Sequence, residues 1–228
     1  MPDPLVPSTG LGVLHLFCTT TSLTDRGAVA AAVKAAEADQ LQVVAVAVLG
    51  HKAEVAFMAL GADVWRLRAF QSALSAAGLV LVDSYVSFTE LSEYAKGMPE
   101  EMARARLYPV LPPEGMTAWC FYPMSKRRDP GQNWYALPFE ERKELMMEHG
   151  ASGRTFAGRI VQLITGSAGV DDYEWGVTLF AQKPDDLKEV VYTMRFDTAS
   201  TEYAEFGPFV TGAVGTTDEV LDAAGIPG

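Results

Sequence analysis

The stretch GVLHLFCTTTSLTDRGAVAAAVKAAEADQLQVVAVAVLG (residues 12–50) decides the fold class of this chain. Gly12 to Thr20 is a nearly continuous apolar run, which predicts a buried strand. Asp25 to Asp39 is rich in alanine behind a potential aspartate cap, which predicts a helix. Leu41 to Gly50 is β-branched and apolar, which predicts a second strand. The chain therefore opens as strand, helix, strand.

The series of predicted strands and helices continues to residue 91, where it completes a known supersecondary unit. Residues 53–63 predict a third strand, and residues 63–78 have a helical apolar period that ends at a glycine. Residues 79–91 predict a fourth strand. The order β-α-β-β-α-β is the ferredoxin-like unit.

The second half repeats this order after a polar, proline-bearing segment at 91–115, where a short helix is predicted around 99–106. Pro138 suits the first position of the next helix, and Gly150 suits its C-terminal cap. The predicted elements are strands at 116–124, 159–167, 173–182 and 205–214, and helices at 138–150 and 183–197.

We therefore expect an α+β fold of tandem ferredoxin-like repeats, of the dimeric α+β barrel type, with antiparallel sheets and outer helices. The expected domains are an N-terminal half at 11–90, a linker at 91–115 and a ligand-binding C-terminal half at 116–228.

Composition narrows the class of function. The 228 residues carry a formal net charge of −11, which argues against general affinity for nucleic acid or anionic membranes. No signal peptide and no membrane span are expected, because no basic n-region and no apolar run of about 18 residues is present. Cys18 and Cys120 lie far apart without a CxxC spacing, so free, buried thiols and a cytoplasmic location are expected.

The chain has three histidines. His15 lies in an apolar strand and is expected to be a satisfied core residue, and His51 follows a turn glycine and is expected to be solvated. His149 ends a helix, where the helix dipole favours it. It is also a candidate metal ligand: one histidine cannot build a zinc site, but it can hold a haem iron.

The segment FYPMSKRRDPGQNWY (residues 121–135) concentrates cations and aromatic residues in an acidic protein. Strand alternation places Tyr122, Met124 and Lys126 on one face. One interpretation is a strand that runs out to solvent at Lys126, with Arg127 and Arg128 in a solvated turn. The other is a pocket for a flat apolar ligand with carboxylates at its rim.

The residues from Cys120 to Gly212 resemble the chlorite dismutase-like superfamily and, within it, the coproheme decarboxylases. The resemblance rests on CFYPMSKRR, NWYALPFEERKELMMEHGASGRTFAGRIVQLITGS, DDYEWGVTLFA, VVYTMRFD and YAEFGPFVTG. The first half matches in element order more than in sequence. The resemblance implies two ferredoxin-like halves, haem in the C-terminal half, and a homopentamer.

The activity that the resemblance implies is oxidative decarboxylation driven by hydrogen peroxide. Two propionates of iron-coproporphyrin III (coproheme) would be converted by way of a three-propionate intermediate, giving haem b. This is the last step of the coproporphyrin-dependent haem pathway, in which coproheme is both substrate and redox cofactor. A transient contact with the ferrochelatase that supplies it would follow.

The resemblance also implies roles for individual residues. His149 matches the axial iron ligand, Tyr122 the tyrosine that becomes a radical and abstracts hydrogen from a propionate, and Lys126 the lysine that binds the reacting propionate. Further positions match residues that hold propionates or lie near the pocket: Met124, Trp134, Arg154, Arg195 and Ser200. For the hydrogen bond to the other nitrogen of His149, Glu202 and Glu205 are candidates.

Gln162 matches the residue on the distal side of the iron. Chlorite dismutases proper have an arginine there, so a neutral glutamine disfavours chlorite chemistry. No distal histidine is present, and the base that deprotonates peroxide is not identified. The alternatives are a haem-binding or haem-sensing relative without decarboxylase activity, a chlorite dismutase-type peroxidase, and a non-enzymatic α+β oligomer in which His149 is a helix cap.

Overall fold

The computed structural model describes residues 3–226, and its first half follows the predicted element order. The side chains of Asp25 and Asp63 cap the first two helices by accepting hydrogen bonds from the backbone N–H groups of Ala28 and Trp65. The elements are β1 (Gly12–Thr19), α1 (Arg26–Ala38), β2 (Gln42–Leu49), β3 (Val55–Gly61), α2 (Val64–Ala76) and β4 (Val80–Thr89).

The second half contains the predicted elements and several additional ones. The short helix predicted in the linker is present as α3 (Glu100–Leu107). The remaining elements are β5 (Ala118–Lys126), β6 (Arg128–Asp129), β7 (Gln132–Asn133), α4 (Phe139–Arg154), β8 (Ile160–Gly166), β9 (Trp175–Ala181), α5 (Pro184–Met194), α6 (Thr198–Thr201), β10 (Ala204–Phe206), β11 (Val210–Gly215) and α7 (Thr217–Ala223).

Eight strands close into one antiparallel barrel. Their order is β5-β11-β2-β3-β1-β4-β8-β9, and β9 pairs again with β5. The two halves meet at the β11–β2 and β4–β8 pairings. The predicted α+β class with antiparallel sheets is thus confirmed. The closed ring leaves none of its eight strands without two neighbours.

Large apolar side chains fill the barrel, and helices cover its outside. The interior holds Phe17, Met58, Trp119, Phe121 and Phe180. The outer face of the first half packs against α1 and α2, and that of the second half against α5. Helix α7, which the sequence did not predict, packs on the first half through buried side chains and ion pairs with Arg26. No helix within residues 3–226 has the length and apolarity needed to cross a membrane.

The prediction that Gly150 ends its helix is wrong. Helix α4 continues through Gly150 to Arg154. The glycine with a positive φ, +81°, is Gly158, beyond the helix. Gly153 instead permits α4 and α5 to approach each other closely, because a Cβ on Gly153 would lie 3.4 Å from Met194 Cε in α5. A glycine in sequence does not distinguish a cap from a packing contact.

The strand predicted at 205–214 is two strands. Both β10 and β11 lie beside β5, and the ladder is interrupted at 207–209. The facing residues of β5 are Tyr122 and Pro123, and neither Pro123 nor Pro208 has an N–H to donate to a ladder. The interruption therefore has a cause in both strands, a proline on each side of the ladder.

We predict that Gly212→Ala destabilises the fold, because an added Cβ would lie 2.4 Å from the carbonyl oxygen of Ala47 at the seam between the halves. Overpacking of this kind costs about 1–3 kcal/mol in the free energy of unfolding, measurable by denaturant titration. Gly150→Ala is the control: inside a helix it should stabilise by about 0.5–1 kcal/mol. A stable Gly212→Ala variant would contradict the close packing of this seam.

Candidate functional site

The outer face of β5 presents the side chains that the alternation predicts. Trp119 and Phe121 point into the barrel, whereas Cys120 and Tyr122 pack with α5 outside it. Met124 follows on the outer face and is half-buried. The outer face of β5 is thus the floor of the candidate site.

Lys126 ends this row in a buried position. Its Nζ donates a hydrogen bond of 2.6 Å to the carbonyl oxygen of Ala199 and lies 4.3 Å from the centroid of the Trp134 ring. The side chain is buried, so the interpretation of a strand running out to solvent is wrong at this residue. Among residues 3–226 its ammonium has no carboxylate within ion-pair distance.

Burial lowers the pKa of Lys126 to about 8, and the nearby carboxylate of Glu174 opposes this shift only partly. Relative to an ordinary lysine, that shift corresponds to roughly 3 kcal/mol against the charged form. A ligand carboxylate would offset this cost. The lysine is therefore suited to hold an anionic group.

His149 of α4 has a defined hydrogen-bond partner. Its Nδ1 lies 3.1 Å from Oδ2 of Asp197, whose Oδ1 accepts a 2.7 Å bond from Ser152 Oγ. The partner is therefore Asp197, and neither of the two glutamates considered from sequence. With Nδ1–H donating to the carboxylate, Nε2 carries the lone pair and can ligate a metal.

The charge state of His149 also favours a ligand role. Burial lowers the pKa of its imidazole, and the nearby Lys126 ammonium lowers it further, against the opposing effect of Asp197. The ring is therefore neutral at physiological pH, as metal binding requires. No group of three or more His, Cys, Asp or Glu side chains within residues 3–226 is placed to hold a bare metal ion. The single imidazole suits a metal already held by another ligand, as in a porphyrin.

Several other predicted residues belong to the same cluster. Ser200 Oγ lies 3.5 Å from His149 Nδ1, next to the Ala199 carbonyl that Lys126 contacts. Trp134 is buried and packs edge-on against Tyr203, with ring centroids 5.4 Å apart. The short helix α6 and the loop before it thus connect the lysine to the histidine.

Asp197 is the residue that the sequence did not reveal. It is 48 positions from His149, and only the fold of α5 back onto α4 brings the two together. Its position between a helix end and the start of α6 is the sole local signal. Many aspartates occupy such positions without a functional role.

Three predicted residues lie outside this cluster. Gln162 is exposed on β8, where it pairs with Leu179, which in turn pairs with Cys120. It therefore shares the outer sheet face with Tyr122, two strands away. Arg154 and Arg195 are exposed near helix ends, and the Arg195 guanidinium lies 4.0 Å from the Tyr192 ring centroid. Within the described residues neither arginine makes a hydrogen bond or ion pair with Lys126 or His149, and their roles stay predictions.

Helix α4 is unusual because none of its 16 residues is fully buried. A helix on a globular domain normally buries an apolar stripe. This helix is attached partly through polar bonds, including Arg142 Nε to Tyr94 Oη at 3.1 Å and the two bonds to Asp197. Met147 remains 64% exposed. The helix retains apolar surface for a ligand, beside a neutral imidazole and a buried cation, and these residues fit an iron porphyrin with carboxylates.

One open cleft of about 390 Å³ borders the Lys126 end of β5 and does not fit this ligand. Carboxylates dominate its charged lining and would repel propionates. Arg128 in the cleft is already paired with Glu174. Arg127, which does not line the cleft, donates a hydrogen bond to Gln132. The acidic residues that line the cleft are Asp129, Asp171, Asp172, Glu174 and Glu205.

Comparisons with known proteins give a consistent result. The sequence model of the chlorite dismutase family matches residues 24–215. The coproheme decarboxylase of Staphylococcus carnosus is 47% identical over 177 residues, which cover 73% of this chain and 70% of the relative. That of Staphylococcus saprophyticus is 44% identical over 185 residues, covering 77% and 74%. A solved structure of a heme-binding protein from Thermus thermophilus superposes with a TM-score of 0.85 at 35% identity, covering 99% of both chains.

We predict that Lys126→Met stabilises the ligand-free protein at neutral pH and that this advantage shrinks as pH rises. Because the folded-state pKa is about 8 and the usual value is 10.5, the unfolded protein binds more protons between these values. The stability of the wild type therefore rises with pH across that window, whereas the methionine variant lacks this contribution.

The measurement is denaturant unfolding of both proteins at pH 7 and at pH 10. Lys143→Met is the control, because it replaces a half-exposed lysine of α4 by the same residue without removing a buried ammonium. A difference between wild type and Lys126→Met that stays constant with pH would count against a buried ammonium.

Proposed function

Since the chain belongs to the chlorite dismutase family, we propose that it is a coproheme decarboxylase that uses hydrogen peroxide to convert coproheme to haem b. The curated relatives at 44% and 47% identity carry the name of this enzyme. The fold and the placement of the site residues agree with the activity.

The observation that carries the proposal is the pairing of a metal-competent imidazole with a buried, unpaired ammonium. His149 and Lys126 are joined through the loop and helix that hold Asp197, Ala199 and Ser200. Tyr122 lies four residues before Lys126 on the same strand face, roughly 13 Å away along the strand. In this proposal the imidazole of His149, the phenol of Tyr122 and the ammonium of Lys126 act on one bound ligand.

The overall chemistry balances with peroxide as the oxidant. Each propionate side chain, R–CH₂CH₂–COO⁻, reacts with one H₂O₂ and one proton to give R–CH=CH₂, CO₂ and two molecules of water. The bound iron porphyrin supplies the two-electron oxidising equivalents from peroxide. The chain supplies binding, orientation and proton placement.

Each residue has a task that its surroundings support. His149 holds the iron through Nε2, and Asp197 fixes its tautomer and ring orientation. Lys126 holds the carboxylate of a propionate. Burial raises the pKa of the Tyr122 phenol above its ordinary value, so the phenol stays protonated and its oxidation removes proton and electron together.

A second candidate function is haem binding without decarboxylation, which the heme-binding protein from Thermus thermophilus favours. Gln162 supports the decarboxylase over a chlorite-degrading peroxidase, because a neutral amide lacks the charge that holds an oxyanion. The homopentamer, the cytoplasmic location and the contact with a ferrochelatase stay predictions.

The proposed activity is tested by adding iron-coproporphyrin III, titrating peroxide, and following product masses. We expect loss of two carboxyl groups from the porphyrin by the wild type. Tyr122→Phe should bind coproheme but stall before the first loss, because the phenol that accepts the hydrogen atom is gone. Tyr108→Phe, which removes a distant hydroxyl, is the matched control. A bound but unchanged porphyrin in the wild type would establish the haem-binding alternative.

We expect Asp197→Asn to weaken iron binding by about 10- to 100-fold, because it removes the charged partner of the imidazole. The reduction potential of the bound iron should rise, since a negative charge beside the ligand is lost. His149→Ala should abolish the Soret spectrum of the imidazole-ligated iron. Spectral titration measures iron binding and potentiometry measures the reduction potential. A wild-type Soret spectrum in His149→Ala would remove His149 as the ligand, and wild-type values in Asp197→Asn would remove Asp197 as the residue that supports it.

A further inference from the structure

The interruption between β10 and β11 has the geometry of a β-bulge beside Tyr122. Phe206 pairs with Met124, and Val210 pairs with Phe121. Between these pairs, three residues, 207–209, oppose two residues of β5. One extra residue in one strand is the definition of a bulge, and bulges next to active sites re-aim side chains.

The extra residue decides which way Phe209 faces. Phe206 and Phe209 are three positions apart, so in a regular strand they would lie on opposite faces. With the bulge both lie against Tyr122: the Phe209 ring stacks on it at a centroid distance of 4.4 Å and an interplanar angle of 25°. Phe206 approaches it edge-on at 5.7 Å. The phenol ring is thus held by two aromatic side chains.

Two contacts fix the bulge itself. Gly207 donates a 2.8 Å backbone hydrogen bond to the carbonyl of Pro123, and a Cβ on Gly207 would lie 2.6 Å from the Pro123 ring. The carbonyl of Phe209 accepts a hydrogen bond from Lys52 Nζ. Lys52 lies in the turn between β2 and β3, so the N-terminal half helps to position a residue of the C-terminal site.

We propose that Phe209 is a positioning residue that holds the Tyr122 ring for its reaction, and that Lys52 anchors Phe209 from the N-terminal half. The catalytic part of this proposal rests on the proposed function. The phenol makes no hydrogen bond to any residue within 3–226, so ring packing alone sets its orientation. Misplacement of a reacting group by about 1 Å can cost on the order of 100-fold in rate.

The first test needs no substrate. In ligand-free protein with isotope-labelled tyrosines, the ring protons of Tyr122 are identified by their loss in Tyr122→Phe. We expect them upfield in the wild type, because they lie over the Phe209 ring, and shifted downfield in Phe209→Leu. Phe70→Leu, a core change in α2, controls for general destabilisation and should leave them in place. Unshifted Tyr122 protons in a folded Phe209→Leu variant would overturn the proposal.

The second test uses turnover of coproheme. We expect Phe209→Leu to lower the rate of the first decarboxylation by about tenfold or more with coproheme affinity little changed, because orientation is lost and binding is not. Phe209→Tyr, which keeps the stacked ring, should restore most of the rate. Lys52→Met should also lower this rate. In the double variant with Phe209→Leu it should cause little further loss, because both changes remove the same support of the Tyr122 ring. Wild-type rates in Phe209→Leu would overturn the catalytic part.

The two tests separate the possible failures. If the wild type does not decarboxylate coproheme, the proposed function fails, and the proton shifts still decide whether Phe209 holds the Tyr122 ring. If decarboxylation occurs but neither Phe209 nor Lys52 affects the rate, the positioning role fails and the proposed function stands.

Discussion

Closure of the barrel through β5 is the constraint on which the site depends. This strand pairs with β9 on one edge and with β11 and β10 on the other, so both edges are fixed. Alternation then assigns every side chain of β5 either to the packed interior or to the outer face. A shift of one residue would place Trp119 and Phe121 outside and bury Tyr122 and Lys126 in the barrel. The aromatic interior therefore specifies the register that the site requires.

Much of the fold followed from the sequence because its elements have strong local patterns. Apolar runs, aspartate caps and the repeated order of strands and helices were enough to predict the fold class and most of the strands. What was missed depends on contacts between distant segments: the helical course through Gly150, the interruption opposite Pro123, and α7 on the far half. A glycine or proline marks a departure from regularity without stating which neighbour causes it.

The same difference between local patterns and distant contacts decided which residues of the candidate site could be predicted. Tyr122, Met124 and Lys126 lie on one strand, where a period of two fixes their common face. Asp197 and Phe209 act on residues 48 and 87 positions earlier in the chain, and no local pattern announces such partners. Arg154 and Arg195 were expected from resemblance alone, and within residues 3–226 neither makes a hydrogen bond or ion pair with the lysine or the histidine.

The absence of fully buried residues in α4 has a consequence for dynamics. A helix with few apolar contacts belongs to the low-stability end of a protein's local unfolding free energies, and its amides exchange with solvent ahead of the barrel strands. A ligand gripped between α4 and the sheet would add the missing contacts and raise that opening free energy by mass action. Ligand binding and stabilisation of the helix would then be one coupled equilibrium. The barrel would stay folded throughout, and the weakly packed helix would become ordered against it when the ligand binds.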